Sequence, residues 1–179
     1  MKQKLVVLLL LHCCTVVSLA QPYQPADYAA TIPLNSIKVI EPTAPFTNVL
    51  DVLSATRTVD EIKKTTQYFD GLGRPIQTVS WQTTPLKQDV VAPQVYDEYG
   101  REQYNFMPYV QQGTNTNTGT IKYNAFSQQQ AFNQAQYGTQ GDTYYYSKTN
   151  YEPSPLNRPT GTLAPGNSWV GSNKGVQMQ

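Results

Sequence analysis

Two six-residue words bring acidic and basic side chains together at a fixed spacing. Phe69-Asp70-Gly71-Leu72-Gly73-Arg74 and Tyr96-Asp97-Glu98-Tyr99-Gly100-Arg101 each place a carboxylate behind an aromatic residue and a guanidinium four positions later, after a glycine. Such a pair can serve a ligand by offering charge of both signs, or it can serve the chain itself. Asp caps turns with its own side chain, and an Arg beyond the turn can pair with that Asp or lie over an aromatic face. Repetition favours the second use. Arg74 and Arg101 are 27 residues apart, and a recurring unit of that size marks stacked supersecondary elements, not a single catalytic loop. Tyr151 to Arg158 is a third, degenerate version, two residues longer and with Pro153 and Pro155 where the turn glycines stand. The repeat is therefore carried by Phe69, Asp70, Gly71, Gly73, Arg74, Tyr96, Asp97, Gly100, Arg101, Tyr151 and Arg158, as structural positions.

Other chemistry is limited by what the N-terminus removes. Lys2 and Lys4 precede an apolar run from Leu5 to Val17, and Ser18-Leu19-Ala20 puts small residues before Gln21. This is the pattern of a cleavable secretory signal peptide over residues 1–20. The run is short against the ~20 residues a membrane span needs. His12 and Cys13 stand before the two cysteines, where a lipid-accepting cysteine wants a small residue. Contact with a membrane is then confined to export, and the expected address is secreted, extracellular or cell-surface. Cleavage takes away Cys13, Cys14 and His12, which are all the cysteines and the one histidine. The remainder has no disulfide, no thiol nucleophile, no imidazole base and no Ser-His-Asp triad. A zinc site built on His or Cys is equally excluded. No catalytic, cofactor-binding or metal-binding residue is identified, and the expectation is a protein that is not an enzyme. Of the 13 Lys and Arg residues, loss of Lys2 and Lys4 leaves 11 against 12 acidic ones. That balance gives no electrostatic footprint for nucleic acid.

The elements that must position the repeated words read as mainly β: antiparallel hairpins, one or two short helices and long irregular loops. Residues 21–34, broken by Pro22, Pro25 and Pro33, read as a poorly ordered leader. Residues 35–158 form the domain, and 159–179 a Gly/Pro-rich tail anchored by Trp169. Ile37 to Ile40 alternates as a first strand, ended by Pro42. Asn48 can cap a short helix over 48–55, with Val49, Leu50 and Leu53 as its apolar positions. Thr65 to Phe69 and Ile76 to Trp81 are β-rich and flank Asp70-Gly71-Leu72-Gly73, whose glycines can take positive φ. The second word repeats the design, with Gln94 to Tyr96 leading in and Arg101 to Phe106 leading out. Residues 111–122, rich in Gln, Thr, Asn and Gly, are a surface loop. Ala125 to Tyr137 has the composition of a helix, with Asn124 as its cap, Gly138 as its stop and Ala125, Phe132 and Ala135 along a narrow apolar face. Tyr144, Tyr145 and Tyr146 cannot share one platform, because neighbouring strand residues face opposite ways; they are expected in core and edge packing.

The words resemble the tyrosine-aspartate (YD) repeats of RHS-type proteins. Thr66 to Val79 and Tyr151 to Arg158 together resemble the domain of unknown function that precedes YD repeats in large secreted Bacteroidota proteins, a likeness spanning roughly residues 35–175. The resemblance implies an architecture and an address but no reaction. It implies a non-catalytic structural or interaction module, an N-terminal cap whose partner is a downstream YD-repeat shell in a longer protein. The tail would then be the start of that shell, with the chain truncated before the rest; self-association is the alternative use of the exposed edge. Two other functions stay open on the residues alone. One is a carbohydrate- or surface-binding module using exposed tyrosines; the other is a glycosidase working with carboxylates only.

Overall fold

The computed structural model describes residues 22–113 and 116–178. The signal-peptide segment expected over residues 1–20 lies outside the described residues. The described residues are mainly antiparallel β, as expected, in two sheets with two helices. The first sheet has the order β1-β2-β3-β4-β6, from β1 (Asn35–Pro42), β2 (Ile62–Phe69), β3 (Pro75–Ser80), β4 (Val90–Pro93) and β6 (Tyr109–Val110). The second has the order β5-β7-β8-β9, from β5 (Tyr104–Phe106), β7 (Tyr146–Tyr151), β8 (Pro159–Leu163) and β9 (Val176–Gln177). The helices are α1 (Val49–Val52) and α2 (Ala125–Tyr137), the latter followed by a 3-10 turn, Gly138–Gln140.

The three words have different topological duties. The first closes the β2–β3 hairpin, with Phe69 opposite Pro75 and a register shift between Tyr68 and Phe69. The third closes the β7–β8 hairpin with the same kind of shift, between Asn150 and Tyr151. The second was expected to close a hairpin too. Its flanks meet only in a single bridge, Gln94 with Asn105. Beyond that bridge β4 pairs with β3 and β6 while β5 pairs with β7. The second word is therefore where the chain first passes from the first sheet to the second, before β6 returns to the first.

The core lies where the sheets meet the start of α2. Val79, Val91, Tyr109 and Ala125 form one buried cluster; Phe106, Phe126 and Tyr146 form another. Consecutive helix residues thus serve different clusters, Ala125 the first and Phe126 the second. Tyr28 packs against both and donates its hydroxyl to the carbonyls of Ile76 and Gln94. Phe106 is 5.2 Å from both Phe126 and Tyr146 in edge or tilted arrangements, the geometry that ring quadrupoles favour.

The bounds of α2 match those read from the sequence, but its cap and its buried face do not. Asn124 makes no side-chain cap bond. Asp27 takes that role, accepting from the backbone amides of Phe126 and Ser127 at 2.9 and 3.0 Å and from the Ser127 hydroxyl. The buried face is Ala125, Phe126, Gln129 and Asn133, with Ala135 exposed. Two of those four are amides, and the Gln129 side chain donates to the carbonyls of Met107 and Tyr145. Residues 22–34 have no strand or helix, yet they are anchored by Asp27, by Tyr28 and by Tyr23, which stacks on Tyr104 at 4.2 Å. These contacts lay the segment across both sheets. Residues 159–178 supply β8 and β9. Helix α1 is shorter than 48–55, capped by Asn48 as expected, and buries no residue. Tyr145 and Tyr146 are buried and Tyr144 packs edge-on against Tyr146.

Candidate functional site

The first two words build the same turn around their acids. In the first, one oxygen of Asp70 accepts from the amides of Leu72 and Arg74, both at 2.9 Å, and the other from Arg74 Nε at 2.8 Å. In the second, Asp97 accepts from the amides of Tyr99 and Arg101, both at 2.9 Å, and from Arg101 Nε at 2.7 Å. The backbone closes identically. The Asp amide donates to the Arg carbonyl four residues on, and the glycine amide donates back to the Asp carbonyl. Gly73 and Gly100 both have φ of 77°, a region open to few side chains. Gly71 does not share it, so of the two glycines in the first word only Gly73 is needed for the fold of the turn.

The third word keeps the acid–arginine closure in a longer turn, in which the Asn157 amide donates to the Ser154 carbonyl and not to that of Glu152. Glu152 replaces the Asp, and its longer side chain accepts from Arg158 Nε at 3.0 Å, from Arg158 Nη2 at 3.1 Å and from the Ser154 hydroxyl at 2.7 Å. The amide of Glu152 donates to the carbonyl of Arg158, the same closure across two more residues. Asn157, before the Arg as the glycines are, takes φ of 52°. Asn is the side chain that best tolerates this conformation, so a signal was present in the pattern Gly-Arg, Gly-Arg, Asn-Arg. The repeat residues read from the sequence omitted Glu152 and Asn157.

The acids are held ionised. Burial opposes the charge on Asp70 and Asp97, but the Arg amide, the guanidinium and the second amide outweigh it and hold both carboxyls below their usual range. Hydrogen bonds from the Arg158 side chain, then from Ser154, lower Glu152 to about 2.

The arginines connect one turn to the next. The Arg74 guanidinium lies over the Tyr96 ring at 4.7 Å, and Tyr96 returns a hydroxyl bond to the Pro75 carbonyl at 2.8 Å. A β-carbon on Gly100 would stand 3.4 Å from Arg74 Nη1. One turn later the Arg101 guanidinium lies over Tyr151 at 4.8 Å, and its Nη1 donates to the Asn157 side chain at 3.2 Å. Both junctions follow one rule. Each Arg covers the aromatic head of the next turn along the chain and reaches that turn's left-handed residue. Tyr99, which plays no part in the repeat pattern, also lies by Arg101, its ring centroid 4.8 Å from the guanidinium.

Two further features surround these turns. Tyr99, Arg101, Tyr151, Glu152, Pro153 and Asn157 are among the residues lining a groove of about 670 Å³. Beside the first sheet, Lys122 Nζ meets Asp89 at 2.8 Å with both side chains nearly or fully buried. The Asp89 carboxylate also accepts from the amides of Gln82 and Gly119, and Lys122 also donates to the Thr116 carbonyl. Every polar atom of the pair is bonded, which is how a buried ion pair is kept tolerable. It fastens the loop expected at 111–122, laying Gly119 against the Trp81 ring. Among the described residues no group of three or more His, Cys, Asp or Glu side chains is placed to hold a metal ion, and no helix is long and apolar enough to cross a membrane.

These features define a two-sheet antiparallel β protein whose acid–arginine turns share one closure and are linked in chain order. The family model for a domain of unknown function, DUF6443, matches residues 38–179, and the chain belongs to that family. No curated protein and no solved structure gives a significant match.

Proposed function

We propose that the chain is a non-catalytic structural and interaction module, the N-terminal part of a secreted or cell-surface RHS/YD-repeat protein. The observation that carries this reading is the linkage of successive turns. Arg74 on Tyr96 and Arg101 on Tyr151 join the three words into one ladder, and Asp70, Asp97 and Glu152 are each committed to their own turn. A single exposed cation–π contact contributes only about 0.5–1 kcal/mol, so such contacts stabilise an array as a series, each unit leaning on its neighbours. An acid needed for glycosidic chemistry would have to come from outside the ladder.

The test is a comparison of residues 21–179 with a longer protein carrying further YD repeats, by thermal melting and light scattering. The module reading expects the repeats to raise the melting temperature. A short chain that is strictly monomeric, melts cooperatively and gains nothing would be an autonomous domain instead. Export is part of the proposal: the intact mass of the exported product should begin at Gln21, and a product retaining Met1 would refute it.

A second reading, a carbohydrate- or surface-binding module, is favoured by the groove beside Tyr99, whose side chain is 69% exposed. Arg101 already occupies one face of both Tyr99 and Tyr151, which leaves less ring for a sugar. Glycan screening separates the two, since a cap binds no sugar and a binding module gives saturable affinity.

A further inference from the structure

Resting on the module reading above, we infer that Arg158 is the docking point for the aromatic head of a further turn of the same kind. The partner is an aromatic residue followed by an acid, a turn with Gly or Asn in the left-handed position, and Arg, lying on the C-terminal side of the third word. The argument is the rule of the two observed junctions. In each, the guanidinium is held along its edge by its own turn's acid, which leaves its flat faces open to rings, the next turn's among them. Arg158 is fixed in the same way, by Nε and Nη2 on Glu152. Among the described residues no ring lies over it. Its side chain is 69% exposed, against 36% for Arg74 and 18% for Arg101. The three values fit a series whose first two members are covered and whose third is open.

The site also carries apolar support for a ring. Leu156, in the same turn, is 69% exposed, and aromatic residues bury well against such a neighbour. Orientation follows from the junctions as well. The incoming turn would set its left-handed residue near Arg158 Nη1, as Gly100 sits near Arg74 and Asn157 near Arg101. A β-branched residue would be strained there by the positive φ, whereas Gly or Asn fits. Direction is fixed too, because both junctions run from an earlier Arg to a later ring. The aromatic head of the first word, Phe69, therefore belongs to the start of the series and is not the ring expected here.

The experiment uses the exported chain and, as probe, a peptide of residues 94–106 closed by a disulfide between added terminal cysteines, so that its turn is formed. In an isotope-labelled titration, the Arg158 Nε–Hε signal and the amides of Leu156 and Asn157 should shift and saturate at millimolar peptide. The shift should vanish with a Tyr96→Ala peptide and with Arg158→Gln in the protein. An unmoved Arg158 signal, or an equal shift with the Tyr96→Ala peptide, overturns the inference. In the longer protein, Arg158→Gln should remove most of the rise in melting temperature that the added repeats bring, beyond its effect on the short chain. A rise that survives Arg158→Gln overturns this docking point and leaves the module reading standing. With no rise at all the module reading itself falls.

Discussion

At Gly73 a β-carbon would meet no atom within 4 Å, so substitution there measures backbone strain alone. Gly73→Val should cost about 1–3 kcal/mol, seen as a lower urea midpoint with an unchanged slope. Gly73→Asn should cost much less, because Asn157 already holds the equivalent place in the third turn. The acids make a second prediction. Glu152 lies at about 2 when folded against an ordinary 4.5, and Asp70 and Asp97 are lowered from 3.8. A lowered carboxyl contributes its stability fully above its ordinary value and loses it as pH falls through the folded one. The melting temperature should therefore drop progressively between about pH 4.5 and 2. Glu152→Gln should start lower at neutral pH and show a shallower fall in the same interval; an identical profile would remove Glu152 from the account.

Helix α2 depends on a residue nearly a hundred positions away. Asp27→Ala removes the acceptor for two first-turn amides and should cost about 0.5–2 kcal/mol, the usual worth of an N-cap. Hydrogen exchange should quicken at Phe126 and Ser127 and at the Tyr28 amide, which donates to the Tyr123 carbonyl. Unchanged exchange would mean that the leader is not what holds the helix start. The same residues show where sequence reasoning reached its limit. The α2 bounds, the β2–β3 hairpin and positive φ at Gly73 and Gly100 were legible, because composition, glycine position and periodicity act within a few residues. Asp27 as cap was not, because Asn124 supplies a better local signal and nothing local reveals an acceptor from afar. The crossing at the second word was hidden for a related reason: Tyr104 and Phe106 alternate correctly for a strand, but alternation does not say which strand they pair with. Gln77, Gln129 and Asn133 were missed as core residues since burial of an amide depends on partners such as the Lys122 backbone. In the candidate site, the acids, arginines and two glycines were legible; the Arg-to-ring linkage, which joins residues up to fifty positions apart, was not.

For the molecule as a whole, the outer strands are β1 and β6 in the first sheet and β5 and β9 in the second, and β1 is the longest of them. All of β1 except the half-buried Ile40 is exposed, and Ile37 and Val39 are 58% and 47% accessible. An edge of this length can template pairing with another strand, and the exposed Val49 and Leu50 of α1, with Leu53 just after it, add apolar surface. Self-association should therefore run through β1. Val39→Lys should lower the apparent mass in concentrated solution by light scattering, with the melting temperature little changed; an unaffected mass would place association on another face. The division into two sheets has one more consequence, for spectroscopy. Trp81 follows β3 on the first sheet, its amide bonded to the Lys64 carbonyl and the Lys64 ammonium 4.1 Å over its ring. Trp169 lies half-exposed in the connection between β8 and β9. Each sheet thus carries its own fluorophore, and replacing either tryptophan with phenylalanine leaves a reporter on one half. If the start of α2 and Tyr28 weld the halves into one cooperative unit, the two single-tryptophan proteins will lose their native emission at the same denaturant concentration. Separated transitions would show two halves that unfold in turn.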